Sequence, residues 1–346
     1  MKRKVCLIGR VAPNQQLFDG QTVKTRLLLN ELRNNADWKI YVVDTVNKKH
    51  KIRMLIKSIY YLLLCRDVFI CLSANGNRIY HKLLRPFIKI RRTRVYHYVV
   101  GGNYHNYLKN NPKFINISKR FRVNWAQTNG LVKELEKLGI TNARYMPNFK
   151  SIKPVDISKV EPIIKPPFKF VIFSRIAKTK GIDVAAKSIE KLNQKYGYQV
   201  AALDCYGAIE DPFKEEFENI VSSNSAVRYC GVIDAMKSGD ALKNYFMLLF
   251  PTSWPGEGFA ATILDAYFGG IPVIASDWNC NAEIVDEGKT GFIYPSSRFK
   301  TIDECIEYAV SNPSVINSMK PNCINYVKNF TPEKYIKEII DFVEKQ

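Results

Sequence analysis

The chain has 346 residues, 46% of them apolar and 24% charged, enough for two soluble domains with separate cores. Its start, Met1-Lys2-Arg3-Lys4, leads into only four apolar residues, and the apolar run Ile59 to Cys65 is far short of the roughly 20 residues that a membrane span needs. The reading therefore excludes a signal peptide and a spanning helix, and expects a cytoplasmic protein.

In chain order, Lys4 to Gly9 reads as a strand, Leu27 to Arg33 as a helix and Trp38 to Val43 as a second strand. Strands at Val68–Leu72, Val95–Val100 and Val123–Gln127 alternate with helices at about 51–64, 78–90 and 130–138. Residues 147–167 break the pattern with Pro147, Pro154, Pro162, Pro166 and Pro167. The alternation restarts at Phe168–Phe173 and runs through helix 181–195, strand 200–206, helix 212–222, strand 227–230, helix 239–245 and strand 247–250. Helix 260–268, strand 272–275 and helices after 301 close it. Alternating strands and helices predict parallel sheets with helices on both faces. The expected plan is an α/β chain of two doubly wound domains: residues 1–150, a linker at 151–167, residues 168–330, and a C-terminal helix at 331–346 that packs back on the first domain. Ligands of such sheets bind beyond the carboxyl ends of the strands, so a cleft between the domains is expected.

The net charge of +20 is uneven, because residues 1–150 carry 30 Lys/Arg against 7 Asp/Glu and residues 151–346 carry 22 against 25. Such a split points to an acidic partner for the first half, nucleic acid or an anionic membrane. Between residues 48 and 122 there are 18 Lys/Arg and one acid, Asp67. The segments Lys48-Lys49-His50-Lys51 to Leu64 and Leu84 to Arg94 interleave cations with apolar and tyrosine side chains, which suits a membrane interface. With no nucleic-acid motif beside the charge, nucleic acid is not expected as a partner. The eight cysteines form no C-x-x-C pair and no zinc-like spacing, so free, mostly buried thiols are expected.

The strongest local signal is Pro251-Thr-Ser-Trp-Pro-Gly-Glu257-Gly258-Phe259-Ala260-Ala-Thr262-Ile-Leu-Asp265, continuing to Gly269-Gly270-Ile271-Pro272. A strand ends, a glycine-bearing loop turns and a helix opens; its first N–H groups and dipole favour an anion such as a diphosphate. Glu257 in the loop and Asp265 in the helix can both accept hydrogen bonds from one elongated ligand. Gly269-Gly270 reads as a helix stop.

This segment resembles the signature of glycosyltransferase family 4, the retaining enzymes of the GT-B fold with two Rossmann-like domains. In that family two glutamates are separated by seven residues; Glu257 matches the first, and Asp265 stands one methylene shorter in place of the second. The resemblance implies that Glu257 holds hydroxyls of a donor sugar and Asp265 the ribose of its nucleotide. The run Ala275 to Phe292, with Asp277 and Glu283, also follows the family. Phe173-Ser-Arg175-Ile-Ala-Lys-Thr-Lys180-Gly181 resembles the family's basic loop, whose two cations neutralise the leaving diphosphate. Asp19-Gly20-Gln21-Thr22 resembles its glycine loop, and Tyr145-Met-Pro147-Asn148 the element that ends its first domain. The implied donor site takes in Gly20, Arg175, Lys180, Gly207, Val227, Tyr229, Glu257, Gly258, Phe259, Ala260, Thr262 and Asp265. Base recognition there relies on backbone groups near Val227 to Gly231, and uridine is the expected base from family frequency.

All four histidines, 50, 81, 97 and 105, precede residue 106. Where many family members carry a His-Asp pair, this chain has Gly101-Gly102-Asn103, followed by His105. His105 is the candidate for orienting a hydroxyl; His97 sits mid-strand and reads as packed. Ser73 and Asn75, with Gly101, Gly102 and Asn103, form the expected acceptor edge. No D-x-D triplet is present, so neither a metal nor another cofactor is expected. The implied function is sugar transfer from a nucleotide-sugar to a lipid-linked or polysaccharide acceptor at the inner face of the membrane. A nucleotide-sugar epimerase, a sugar-phosphate synthase and a non-catalytic binding module are the alternatives.

Overall fold

The computed structural model describes residues 2–13, 20–46 and 51–346. Asp19 and the segment Lys48-Lys49-His50 lie outside them. The chain forms two compact units, residues 1–150 with 332–346 and residues 151–331.

The first unit runs β1 (Arg3–Gly9), α1 (Gly20–Asn35), β2 (Trp38–Asp44), α2 (Lys51–Leu64), β3 (Asp67–Cys71), α3 (Ala74–Arg91), β4 (Arg94–Tyr98), α4 (Tyr104–Lys109), α5 (Ile115–Ser118), β5 (Val123–Ala126), α6 (Asn129–Lys137) and β6 (Ala143–Tyr145). The strands form one parallel sheet in the order β2-β1-β3-β4-β5-β6. Strands covered on both faces must be apolar throughout, and β3, Asp-Val-Phe-Ile-Cys, is buried at every position. Its one acid, Asp67, accepts from Arg3 Nε at 2.8 Å, Arg94 at 2.6 Å and the Tyr96 hydroxyl at 3.0 Å. That network ties together the starts of β1, β3 and β4.

The second unit runs β7 (Phe168–Phe173), α7 (Ile182–Tyr196), β8 (Ala201–Tyr206), α8 (Lys214–Ser223), β9 (Val227–Tyr229), α9 (Ser238–Leu242), β10 (Met247–Phe250), α10 (Ala261–Phe268), β11 (Val273–Ser276), β12 (Gly291–Tyr294), α11 (Ile302–Ser311) and α12 (Pro313–Val327). Its parallel sheet has the order β12-β11-β10-β7-β8-β9. The last helix, α13 (Pro332–Glu344), belongs to the first unit. Its Tyr335, Ile336, Ile339 and Val343 are buried in one core with Val5, Leu7, Leu28 and Trp125.

The structure departs from the sequence reading in three places. Residues 151–167, expected as a linker, are strapped to the second unit: Val155 N–H donates to the Phe268 carbonyl at 2.9 Å, and Ile163 exchanges two bonds with the Asn317 side chain. Helix α1 starts at Gly20, not at Leu27, because its inner face begins with the buried threonines Thr22 and Thr25, which mask the apolar period. The sequence reading does not expect β6, in which only Ala143 is buried, or β12, which opens on a glycine. All eight cysteines are free, six of them buried, and burial pushes the Cys65 thiol up to about 11.

Replacing Asp67 by alanine strands two partly exposed guanidinium groups and a buried tyrosine hydroxyl. Asp67→Ala is expected to cost roughly 2–4 kcal/mol in urea unfolding.

Candidate functional site

In each sheet the strand order reverses once, between β1 and β3 and between β7 and β10. At such a switch point successive connections leave on opposite faces, opening a crevice at the strands' carboxyl ends. In the second unit the two loops bordering it are the two that the sequence singled out, residues 174–181 after β7 and residues 251–260 after β10.

These loops are joined at close quarters. Gly181, at φ +70°, lies so near Pro251 that a Cβ would meet its carbonyl oxygen at 2.3 Å, so a side chain is excluded. The Ser253 N–H donates to the Thr179 carbonyl at 2.8 Å. Thr262, in the first turn of α10, donates its hydroxyl to the Phe173 carbonyl at the end of β7. No side chain caps α10 at Ala260, and its first turn holds no acid. The helix therefore presents N–H groups and the positive end of its dipole to the crevice.

Lys180 and Glu257, 77 residues apart in sequence, form an ion pair in which both side chains are about nine-tenths buried. The Thr252 hydroxyl donates to the same carboxylate at 3.2 Å, and Asn279 Nδ2 to the Glu257 carbonyl at 3.0 Å. Arg175 pairs with Glu210 and remains partly exposed. Both cations face one ring: the Arg175 guanidinium lies 5.2 Å and Lys180 Nζ 5.0 Å from the Trp254 indole. The convergence of Arg175 and Lys180 is thus built on an aromatic platform that the sequence reading did not single out. The signal was there, a large aromatic beside Gly256 within the motif. Its backbone is held by Trp278, whose Nε1 donates to the Trp254 carbonyl at 2.7 Å.

Asp265 lies one turn beyond Thr262 and is buried, as are Gly258, Phe259 and Ala260. Gly207, after β8, has φ +145°, and a Cβ there would meet the Ser174 carbonyl oxygen at 1.8 Å, so this position too requires glycine. The half-exposed Tyr229 donates its hydroxyl to the Gly207 carbonyl at 3.0 Å. Val227 is packed in the core of the second unit, and its N–H is taken by the Asn224 carbonyl. Its side chain and amide are therefore committed to the fold.

The first-unit candidates lie beyond neighbouring strands. Ser73 and Asn75 follow β3 and are exposed; Gly101, Gly102 and Asn103 follow β4. His105 is half-buried in α4, with Nδ1 3.2 Å from the Gly102 carbonyl. Donation from Nδ1–H leaves Nε2 as an acceptor, and burial together with Lys109 lowers the imidazole's pKa below its ordinary value, favouring that neutral form. His97 is buried with Nδ1 3.0 Å from Asn124 Oδ1, and burial pulls it down to about 4. His81, also buried, falls to about 3. Gly20 opens α1, and among the described residues nothing lies within 4 Å of where its Cβ would stand. Among the described residues, no group of three or more His, Cys, Asp or Glu gathers to hold a metal ion.

Residues 156–325 match the family model "Glycosyl transferases group 1". The chain is 24% identical over 207 residues to the GtfA subunit of the UDP-N-acetylglucosamine–peptide N-acetylglucosaminyltransferase of Streptococcus pneumoniae, a match spanning 58% of this chain and 38% of that protein. It is 24% identical over 251 residues to the lipopolysaccharide core biosynthesis mannosyltransferase LpsB of Rhizobium meliloti, covering 65% of this chain and 70% of that one. The crystal structure of Anabaena HepE in complex with UDP superposes with a TM-score of 0.74 at 13% identity, covering 99% of this chain and all of HepE. The two parallel sheets with their helices are the GT-B fold.

Removing one partner of the buried ion pair leaves an uncompensated charge. Lys180→Met is expected to destabilise the second unit by about 3–5 kcal/mol, and Lys180→Met/Glu257→Gln to recover most of that, as measured by denaturant unfolding.

Proposed function

We propose that this protein, whose residues 156–325 match the glycosyl transferases group 1 model, is a retaining glycosyltransferase using a UDP-sugar. The observation that carries the reading is the convergence of Arg175 and Lys180 on the Trp254 ring beside an uncapped helix N-terminus at the β7/β10 switch point. As the bond between the sugar's anomeric carbon and the diphosphate oxygen breaks, negative charge grows on the departing nucleoside diphosphate. Arg175, Lys180 and the first N–H groups of α10 take up that charge without a metal. Glu257, in exchanging Lys180 for the donor, accepts hydrogen bonds from sugar hydroxyls; Asp265 takes the ribose, and Gly207 with Tyr229 borders the base. His105, neutral and with Nε2 free to accept, orients a hydroxyl. Ser73, Asn75 and Gly101 to Asn103 border the acceptor. UDP bound to HepE supports uridine as the base.

The expected result is that UDP at 100 times its dissociation constant stabilises the protein by about 2.7 kcal/mol. GDP, ADP and CDP should shift melting less, and Arg175→Ala should remove the UDP shift. No shift with any of the four sinks the reading.

The acceptor we assign is a lipid-linked glycan or polysaccharide, met at the inner face of an anionic membrane. Helix α2 supports this. Its inner face is fixed by Leu62 and by Ser58, whose hydroxyl lies 2.9 Å from the Tyr80 hydroxyl of α3. Its outer face leaves Ile52, Ile56, Ile59, Tyr60 and Leu63 exposed, Ile52 by 76% and Ile56 by 63%. The spacing of Ile52, Ile56, Ile59 and Leu63 is one helical stripe, flanked by Arg53, Lys57 and Arg66. Among the described residues no helix is long and apolar enough to cross a membrane. Apolar side chains flanked by cations lie in the headgroup region, each cation adding about 1 kcal/mol on an anionic surface. The protein is expected to co-sediment with phosphatidylglycerol vesicles and not with phosphatidylcholine ones. Ile52→Ser/Ile56→Ser/Leu63→Ser should weaken that binding at least tenfold while leaving the UDP shift in place.

A further inference from the structure

Strand β10 stands between β7 and β11 in the second sheet, so the loop after it has a neighbour on each side. On the β7 side the contact is made by backbone, the Ser253 N–H donating to the Thr179 carbonyl and Gly181 touching Pro251. On the β11 side it is made by side chains. Ser276 Oγ, at the end of β11, donates to the Thr252 carbonyl at 2.7 Å. Trp278 Nε1 donates to the Trp254 carbonyl at 2.7 Å. Asn279 Nδ2 donates to the Glu257 carbonyl at 3.0 Å and lies 3.4 Å from that of Pro255. Carbonyls along residues 252–257 are thus taken by three side chains from one short stretch.

That stretch is shaped to face the loop. Asn279 has φ +52°, a left-handed conformation that asparagine tolerates and most residues avoid. Behind it the fully buried Asn281 donates Nδ2 to the Ser276 carbonyl at 3.1 Å, which anchors the turn in the unit. The loop needs holding, because residues 253–255 are exposed and belong to no strand or helix, and fixing such a segment costs conformational entropy. Yet it carries Glu257, paired with Lys180, and Trp254, whose ring faces both Lys180 and Arg175. A Cβ on Gly256 would stand 2.7 Å from that ring, so the indole lies against its own loop and follows its backbone. A displacement of roughly 1 Å in such a site is enough to spoil binding and catalysis.

We propose that Ser276, Trp278 and Asn279 are positioning residues: they clasp the loop after β10 and so hold Glu257 and Trp254 in the geometry that binds ligand. Their side chains act through the backbone of that loop. That the ligand is the nucleotide of a sugar donor rests on the reading above; that the clasp fixes the loop does not.

The test uses the whole protein labelled with fluorotryptophan and read by fluorine NMR, the Trp254 line being assigned from Trp254→Phe. Wild type is expected to show one narrow Trp254 line. Asn279→Gly removes the amide without straining the backbone, since glycine adopts a positive φ freely. That variant and Ser276→Ala should each broaden or split the line, and each should raise the UDP dissociation constant at least fivefold in titration calorimetry. Ser276→Thr keeps the hydroxyl and should match wild type in both readouts. Melting temperatures should fall by no more than about 4 °C, the scale of one lost hydrogen bond. If wild type binds no UDP, the donor reading fails and the Trp254 line alone decides the clasp. An unchanged line in both variants overturns the proposal. So does a changed line with UDP affinity intact, or a threonine variant as impaired as the alanine one.

Discussion

The site depends on the reversal of strand order between β7 and β10. Because the chain leaves these neighbouring strands toward opposite faces, the loops after them stand side by side with a crevice at the strand ends. Close packing then holds the loops in register. Gly181 lies so close to Pro251 that no side chain fits, Ser253 bonds to Thr179, and Thr262 bonds back to the end of β7. Lys180 and Glu257 can meet only because this backbone contact has been made.

The electrostatics follow from that packing. A lysine and a glutamate about nine-tenths buried are tolerated because each neutralises the other, and Thr252 satisfies part of the carboxylate's remaining capacity. On the proposed reading, the pair holds a cation where a ligand would bring phosphate and an anion where it would bring hydroxyl groups. A nucleotide-sugar bound in that way would exchange one set of partners for another and leave neither charge bare. Arg175, at the more open edge, is held by Glu210 and by the Trp254 ring, which limits its freedom before any ligand arrives.

The first unit repeats the same topological logic with a different surface. Among the described residues its switch point places the Lys24 amine over the Tyr98 ring, where the second unit's carries a compensated pair. Among the described residues, its helix α2 covers Leu62 on the inner side and leaves an apolar stripe exposed on the outer side. Two buried histidines, His81 and His97, are spent on aromatic packing in its core, which leaves His105 at the strand end among the described histidines.

Much of this was legible in the amino-acid sequence, because parallel strands and their helices alternate with distinct periods. The alternation determined both doubly wound sheets, and the Pro251–Asp265 and Phe173–Gly181 segments placed the candidate residues on the two loops that follow β10 and β7. Periodicity weakens where a helix buries threonine, as at the start of α1, and β6, with only Ala143 buried, carries no apolar run. Proline-rich residues 151–167 read as a linker, since side-chain bonds from a helix 150 residues later leave no local mark. Only the tertiary structure decided that Lys180 pairs with Glu257, that Trp254 lies under both cations, that Lys24 lies over the Tyr98 ring at the end of β4, and that among the described residues the outer stripe of α2 is exposed. Each is a meeting, or the lack of one, between segments far apart in the chain. A sequence sets which residues line a face; the crossovers of the sheet set what that face touches.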